Sequence, residues 1–333
     1  MSEDSKAQKL KINHKRNLVL TSGRAHPELA QAVAKELGID LMPTDIFDFA
    51  NQEIYVHFKE SIRGTDIFVL QSHTGDLNKA IMEQLIMIDA LKRASVRTIN
   101  AVIPHFGYAR QDKKHKGREP ISAKLVFDLL KTAGATRIMT VDLHADQLQG
   151  FFDGPVDHIS AMGLLLDYAR GKCDLNNLVI VSPDAGRIKT SEKIAQALGG
   201  VPLAFIHKTR DINKANTVKA NSVVGDVNGK EVIISDDLID TAGTICGAVE
   251  VCMKAGAKKV MVLATHAVLS DPAAERLQNS SASEIVVTDT YAIPDEHKFE
   301  KLTVLSIAPM LANTITAVFE GASVAKVING YKG

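Results

Sequence analysis

Short apolar runs rich in Val and Ile alternate along this chain with amphipathic stretches, and that alternation restricts it to an α/β fold of parallel strands flanked by helices. In the first half, strands are predicted at Leu18–Thr21, Ile67–Gln71, Thr98–Ile103 and Arg137–Val141, with helices at Pro27–Leu37, Lys79–Arg93 and Ile121–Thr132. The second half repeats the pattern. Its strands are predicted at Leu178–Val181, Leu203–Ile206, Val232–Ser235, Val260–Leu263, Glu284–Val287 and Thr303–Ile307. Its helices fall at Arg187–Leu198, Thr241–Lys254, Pro272–Gln278 and Met310–Phe319.

At 333 residues the chain is long for one core and comfortable for two. An internal echo points the same way: Thr132–His144 reads TAGATRIMTVDLH and Lys254–His266 reads KAGAKKVMVLATH. Each copy stops a helix on glycine, Gly134 or Gly256, then enters a strand whose exit carries a histidine. Two similar domains are therefore expected, at 15–160 and 161–322.

Thirty-nine basic residues balance thirty-nine acidic ones, so the chain has no overall field for nucleic acid or membrane, and neither is expected as a partner. Any anion site has to be assembled locally. The three cysteines, Cys173, Cys246 and Cys252, form no Cys-x-x-Cys pair and no zinc spacing, which fits a reduced compartment. The polar N-terminus lacks the apolar stretch of a signal peptide, and no apolar run approaches the ~20 residues of a spanning helix. A cytoplasmic protein is expected.

The segment with the most chemistry is Val232–Thr244, VIISDDLIDTAGT. A β-forming run leads into Asp236 and Asp237, then into Asp240-Thr241-Ala242-Gly243-Thr244 and a helix. The unpaired N–H groups of a helix start form an anion site, and small residues let a phosphate come close. Thr241 and Thr244 add hydroxyl donors. Carboxylates at the C-terminal edge of a strand, where open α/β sheets place ligands, suit the vicinal hydroxyls of a ribose ring. The bland alternative is that Asp240 caps the helix and the acidic pair is solvated.

Tyr108–Arg118 (YARQDKKHKGR) holds five cations, Arg110, Lys113, Lys114, Lys116 and Arg118, after the apolar strand that ends at Ile103. Its place at a strand exit argues for a polyphosphate partner rather than a merely solvated charge run. Two further loops follow strands, Asp142–Phe152 (DLHADQLQGFF) and Ser182–Gly186 (SPDAG). If His144 and Asp184 converge, an imidazole and a carboxylate beside phosphate oxygens make a magnesium site that leaves waters on the metal. His207–Asn216 (HKTRDINKAN) reads as a polar flap, on which Lys208 and Arg210 share a side if the segment is extended.

Taken together, the motifs FANQE (Phe49–Glu53), ESIRG (Glu60–Gly64), YARQDKK (Tyr108–Lys114), REPISAK (Arg118–Lys124), DLHADQLQGFFD (Asp142–Asp153), SPDAG and DDLIDTAGT resemble the ribose-phosphate diphosphokinase family, the phosphoribosyl pyrophosphate (PRPP) synthetases of the phosphate-dependent bacterial class. The likeness runs from about Asn17 to about Val324. It implies two phosphoribosyltransferase type I-like domains, and transfer of the β,γ-pyrophosphoryl group of ATP to the C1 hydroxyl of ribose 5-phosphate, giving PRPP and AMP. It assigns Phe49, Asn51, Gln52 and Glu53 to an adenine-binding hairpin reached from a neighbouring subunit, with Arg110 and Gln111 as further ATP contacts. His144 and Asp184 become magnesium ligands, with Asp142, Asp153 and Asp157 as acids nearby. Lys208 and Arg210 fall on the catalytic loop. Asp236, Asp237 and Asp240–Thr244, with Arg210, form the ribose-5-phosphate site. The resemblance further implies magnesium as cofactor, inorganic phosphate as activator, and a homohexamer.

Several positions depart from the family pattern. Many members read RFSDGE where this chain has DFANQE, so Asp48 replaces a base and Asn51-Gln52 replace Asp-Gly. Arg187 stands where glycine is common. Ala325 replaces one of two C-terminal serines that help form the phosphate/ADP regulatory site, to which Ser61 and Arg63 also belong by motif. DDLIDTAGT alone also fits a phosphoribosyltransferase that consumes PRPP, and a non-catalytic partner of the synthetase shares its fold. The hairpin and cationic loop argue against the first. The presence of His144, Asp184, Lys208 and Arg210 argues against the second.

Overall fold

The computed structural model of the chain describes residues 17–210 and 218–325, in backbone only at 208–210 and 218–221. The first half runs β1 (Leu18–Ser22), α1 (Pro27–Leu37), β2 (Thr44–Asp48), β3 (Ile54–Phe58), β4 (Asp66–Leu70), α2 (Leu77–Arg93), β5 (Thr98–Ile103), α3 (Ser122–Ala133), β6 (Arg137–Val141) and β7 (Val156–Ile159). Five of these strands form a wholly parallel sheet, ordered β1-β4-β5-β6-β7. β2 and β3 pair separately as an antiparallel hairpin.

The second half runs α4 (Met162–Arg170), β8 (Leu178–Ser182), α5 (Ile188–Ala197), β9 (Leu203–Arg210), β10 (Val218–Val224), β11 (Glu231–Ile239), α6 (Gly243–Lys254), β12 (Lys259–Ala267), α7 (Ala273–Asn279), β13 (Glu284–Thr288), β14 (Leu302–Leu305) and α8 (Ala308–Glu320). Its seven-stranded sheet is ordered β10-β9-β8-β11-β12-β13-β14, parallel except where β10 runs against β9.

The apolar strand runs are explained by burial on both faces. Every residue of β4 and of β8 is buried, as expected of parallel strands sandwiched between helices. One face of the first sheet packs Ile67, Val69 and Ile103 against α2 and α3 through Met87, Leu91 and Phe127. The other packs Leu20, Phe68 and Val102 against Leu29 and Val33 of α1 and Leu311 and Ile315 of α8. α8, the last helix among the described residues, thus crosses from the second sheet to cover the first. α4 joins the second core through Leu165 and Leu166.

Three differences from the sequence expectation have local causes. β11 continues through Asp236 and Asp237 to Ile239 instead of ending at Ser235, because β12 pairs with it along that whole length, Asp236 opposite Ala264 and Leu238 opposite His266. β9 runs on through Lys208 to Arg210 because β10 folds back on it, so the expected flap is strand to that point. β14 stops at Leu305 because Ile307 already turns into α8. Among the described residues, no helix is long and apolar enough to cross a membrane.

Candidate active site

The loops after β5 and β11, interior strands of their two sheets, meet across one cleft. The cavity between them holds about 560 Å³ and is lined by Arg110 and Lys113 from one side, Asp240–Ile245 from the other, and His144, Asp184 and the acidic pair at its base. Arg110 Nη1 donates to Asp240 Oδ2 at 2.8 Å, joining the loops directly. Burial works against the charge of Asp240, but a hydrogen bond from Ser270 and the Arg110 guanidinium outweigh it and hold its carboxyl below the usual range. Asp240 therefore does not cap α6.

The cap position belongs to Ala242, in the left-handed region at φ 61, with no side-chain cap. That turn starts α6 abruptly. Cys246 N–H already bonds the Ala242 carbonyl, so Gly243, Thr244 and Ile245 present the open N–H groups of the first turn to the cavity. Arg276 holds the loop from outside by donating to the Thr241 carbonyl at 2.9 Å. These features make an anion cradle of small residues at the positive end of a helix dipole.

Asp236 and Asp237 are strand residues that face the cleft for a topological reason. β8 pairs with β11 only as far as Val181 opposite Ile234, while β12 continues alongside. Beyond that point β11 has a neighbour on one side only, and the acids occupy the opening. Each carboxylate takes a nearby backbone N–H: Asp237 N donates to Asp236 Oδ1 at 2.9 Å, and Leu238 N to Asp237 Oδ1 at 3.0 Å. Asp237 Oδ2 lies 2.5 Å from His144 Nδ1, and Arg187 contacts both acids, 3.0 Å from Nε to Asp236 Oδ1. Burial and the neighbouring Asp237 raise the Asp236 pKa. At Asp237 burial also opposes the charge, yet the His144 hydrogen bond and Arg187 prevail and hold it well below the usual carboxylate range.

The donor set fits a magnesium ion. With Nδ1–H of His144 donating to Asp237, Nε2 keeps its lone pair in the tautomer that a metal ligand needs. Asp184 lines the same cavity, and its Oδ1 accepts the Gly186 N–H at 2.9 Å. Among the described residues no group of three or more His, Cys, Asp or Glu is arranged to hold a metal. Two protein ligands with the rest from water and phosphate is the habit of magnesium, not of a closed structural site.

The remaining expected residues scatter more widely. Asp157 on β7 is committed to Arg137 at 2.6 Å, and Asp153 is fully exposed, so neither enters the cleft. Asp142, at φ 37, uses its carboxylate to bind Thr265 Oγ1 at 2.6 Å and the Ala161 N–H at 2.9 Å, tying β12 to the His144 loop. Gln111 accepts a hydrogen bond from Ser122 at 2.6 Å and lines an adjoining cavity of about 500 Å³ with Tyr108 and His266.

Phe49, Asn51, Gln52 and Glu53 form the exposed turn of the β2–β3 hairpin. Phe49 stacks edge-on against Phe47 and Tyr55, all three exposed. Asn51 Oδ1 takes the Glu53 N–H, and Gln52 sits at φ 71, a conformation natural to the glycine of the family pattern. Asp48, pulled down to about 2 by hydrogen bonds from Arg24 and Lys79, anchors the hairpin base. Lys208 and Arg210 lie on β9, and the rest of the loop to Thr217 is outside the described residues.

Two features escaped the sequence reading. Arg187 stands out in the sequence only as a departure from the family pattern, and its approach to the acidic pair depends on the turn Ala185–Arg187 at the end of the SPDAG motif, whose residues do not announce that contact. The two histidines of the internal echo meet different fates. His144 borders the cleft, whereas His266 is buried, with Nε2 3.1 Å from the Asp142 carbonyl.

The family described as "N-terminal domain of ribose phosphate pyrophosphokinase" matches residues 18–134, and that described as "Phosphoribosyl synthetase-associated domain" matches residues 204–329. The ribose-phosphate pyrophosphokinase of Bifidobacterium longum is 64% identical over 95% of this chain and 94% of its own length. That of Corynebacterium efficiens is 59% identical over 96% of this chain and 98% of its own. The crystal structure of phosphoribosylpyrophosphate synthetase from Mycobacterium smegmatis superposes with a TM-score of 0.87 at 58% identity, covering 92% of this chain and 100% of that one.

Fold and site thus define an α/β protein in which a helix-start anion cradle and an acidic pair face a cationic loop across one cleft. More narrowly, the chain belongs to the ribose-phosphate pyrophosphokinase family.

Proposed function

We propose that the protein transfers the β,γ-pyrophosphoryl group of ATP to the C1 hydroxyl of ribose 5-phosphate, releasing AMP and forming PRPP. The observation that carries this reading is the meeting of the two half-sites: the cationic loop and the acidic, helix-starting loop face each other and touch through Arg110 and Asp240. A protein that only consumed PRPP has no need of the first.

In this reading the helix start at Thr241–Thr244 holds the 5-phosphate, and Asp236 and Asp237 take the ring hydroxyls. Asp240 completes the sugar side. Arg110 and Gln111 receive the polyphosphate and nucleoside of ATP, and Phe49, Asn51, Gln52 and Glu53 clasp adenine from a neighbouring subunit of a hexamer. The exposure of the aromatic turn supports a role outside its own subunit. Lys208 and Arg210, assigned by motif, neutralise charge on the group in flight, with Arg210 also touching the sugar phosphate. His144 and Asp184 hold magnesium, which when bound spreads the charge of the polyphosphate. The rest is alignment, which phosphoryl-type transfer chiefly requires.

The division into an ATP half, 15–160, and a sugar half, 161–322, belongs to the same proposal, with α8 as the element that crosses it. So do inorganic phosphate as activator and a cytoplasmic setting, which three free cysteines support. AMP release from ATP, measured with and without ribose 5-phosphate across a phosphate titration, tests the reading. Sugar-dependent AMP is expected; its absence overturns the assignment.

A further inference from the structure

Arg187 has no task in the scheme above, yet it is the cation most deeply engaged with the acidic pair. Its side chain is 20% exposed, and those of Asp236 and Asp237 are 16% and 10% exposed. Nε contacts Oδ1 of Asp236 and Nη2 contacts Oδ1 of Asp237, so the two arms of one planar guanidinium reach two different carboxylates. With the two backbone N–H groups and His144, this accounts for three of the pair's four oxygens. Among the described residues, Asp236 Oδ2 is the one that no cation or N–H group takes.

Two buried carboxylates side by side repel each other and turn apart unless something fixes them. A flexible ammonium neutralises charge from many directions, whereas a guanidinium imposes a separation and a plane. The pair also borders the opening where β8 leaves β11, so no strand pairs with β11 on that side of the acids. Arg187 supplies the constraint from the turn that leads into α5.

We infer that Arg187 is a positioning residue for the acceptor: it sets Asp236 and Asp237 at the spacing that accepts the cis-vicinal hydroxyls of a phosphorylated pentofuranose. It touches neither the transferred group nor the nucleotide. The inference rests on the assignment of the acidic pair to the sugar hydroxyls. It adds a residue that the family pattern, with glycine common at this position, does not supply.

The test uses Arg187→Gln and Arg187→Lys in the full-length enzyme, each first checked for cooperative unfolding. Ribose 5-phosphate affinity is read both as KM and by calorimetric titration without nucleotide. In Arg187→Gln the sugar affinity falls roughly 10–100-fold, as when orienting partners are removed elsewhere, while the KM for ATP holds. Preference for ribose 5-phosphate over its 2-deoxy analogue shrinks in parallel, because one hydroxyl is no longer read. Arg187→Lys recovers only part of the loss.

Unchanged sugar affinity in Arg187→Gln overturns the inference, as does full recovery by lysine. Parallel losses for sugar and ATP, with a lowered unfolding temperature, reduce Arg187 to a structural role and overturn it too. If the parent enzyme makes no sugar-dependent AMP, the functional reading itself has failed, a result separate from any of these.

Discussion

Arg110 and Asp240 lie 130 positions apart in sequence, yet their side chains meet at 2.8 Å across the cleft. Both are substantially exposed, 59% and 34%, and an exposed ion pair contributes only about 0–1 kcal/mol to stability. The contact therefore matters for what it aligns. Replacing Arg110 with Ala should leave the unfolding temperature nearly unchanged while kcat/KM for ATP falls sharply. A lowered melting point with normal kinetics would contradict the assignment.

Lys208→Ala should leave ribose 5-phosphate binding nearly intact and collapse turnover, by roughly 10³-fold or more if it acts as charge-neutralising fingers do elsewhere. Rapid-quench measurement of AMP formation separates the chemical step from release. Turnover comparable to the parent would remove Lys208 from the mechanism.

The hairpin assignment allows a mixing experiment. Phe49→Ala should weaken ATP binding without altering stability, since the ring is 48% exposed. If the hairpin serves a neighbour, combining Phe49→Ala and Lys208→Ala subunits after reversible dissociation should raise activity at low ATP above that of either variant alone, because some sites inherit both intact parts. No recovery in assemblies verified as mixed would place the hairpin in its own subunit's site.

Burial holds three histidines, His73, His105 and His266, neutral by lowering their pKa values, the first two to about 3. At His73 the hydrogen bonds specify the tautomer: Nδ1 accepts the Gly107 N–H at 3.0 Å, so Nε2–H donates to Gln84 Oε1, also at 3.0 Å. In the unfolded chain these groups titrate near 6.5. Stability is therefore full above that pH and declines as pH falls below it, by about 1.4 kcal/mol per pH unit for each of His73 and His105, with His266 acting in the same direction. Denaturant unfolding between pH 7.5 and 5 should show the decline, and His73→Gln should make it shallower without abolishing it. An unchanged slope in that variant would rule His73 out.

Gly225 adopts φ +120 at the end of β10, and a Cβ there would lie 2.6 Å from Ala204 Cβ on β9. Gly225→Ala should lower stability by about 1–3 kcal/mol through strain and overpacking. Because β9 carries Lys208, turnover should fall with it. Thermal unfolding and kcat, measured together, check both effects.

The strand-to-helix loops were legible because phosphate binding demands small residues, hydroxyls and charge at strand exits, and DDLIDTAGT and YARQDKK carry these in order. The core strands were legible for a similar reason, since burial on both faces leaves an unbroken apolar run such as Ile67–Leu70. β7 was not. Its four residues, VDHI, are mostly half-buried at the sheet edge and carry no apolar run. The continuation of β11 through two acids also runs against local propensity, and only one-sided pairing with β12 explains it. Arg187 was invisible as a site residue because its partners are about fifty positions away and meet it only through the turn.

The crossing of α8 onto α1 has a consequence for how the chain comes into being. Leu311 and Ile315, near the end of the chain, seal the face of the first sheet that Leu20 and Leu29 begin. A nascent chain that has completed every strand of that sheet still shows water an open apolar flank. The flank closes only once the second sheet has been made and its last helix emerges. Maturation of the first sheet's half of the chain thus waits for the second, so that neither wall of the cleft is finished long before the other.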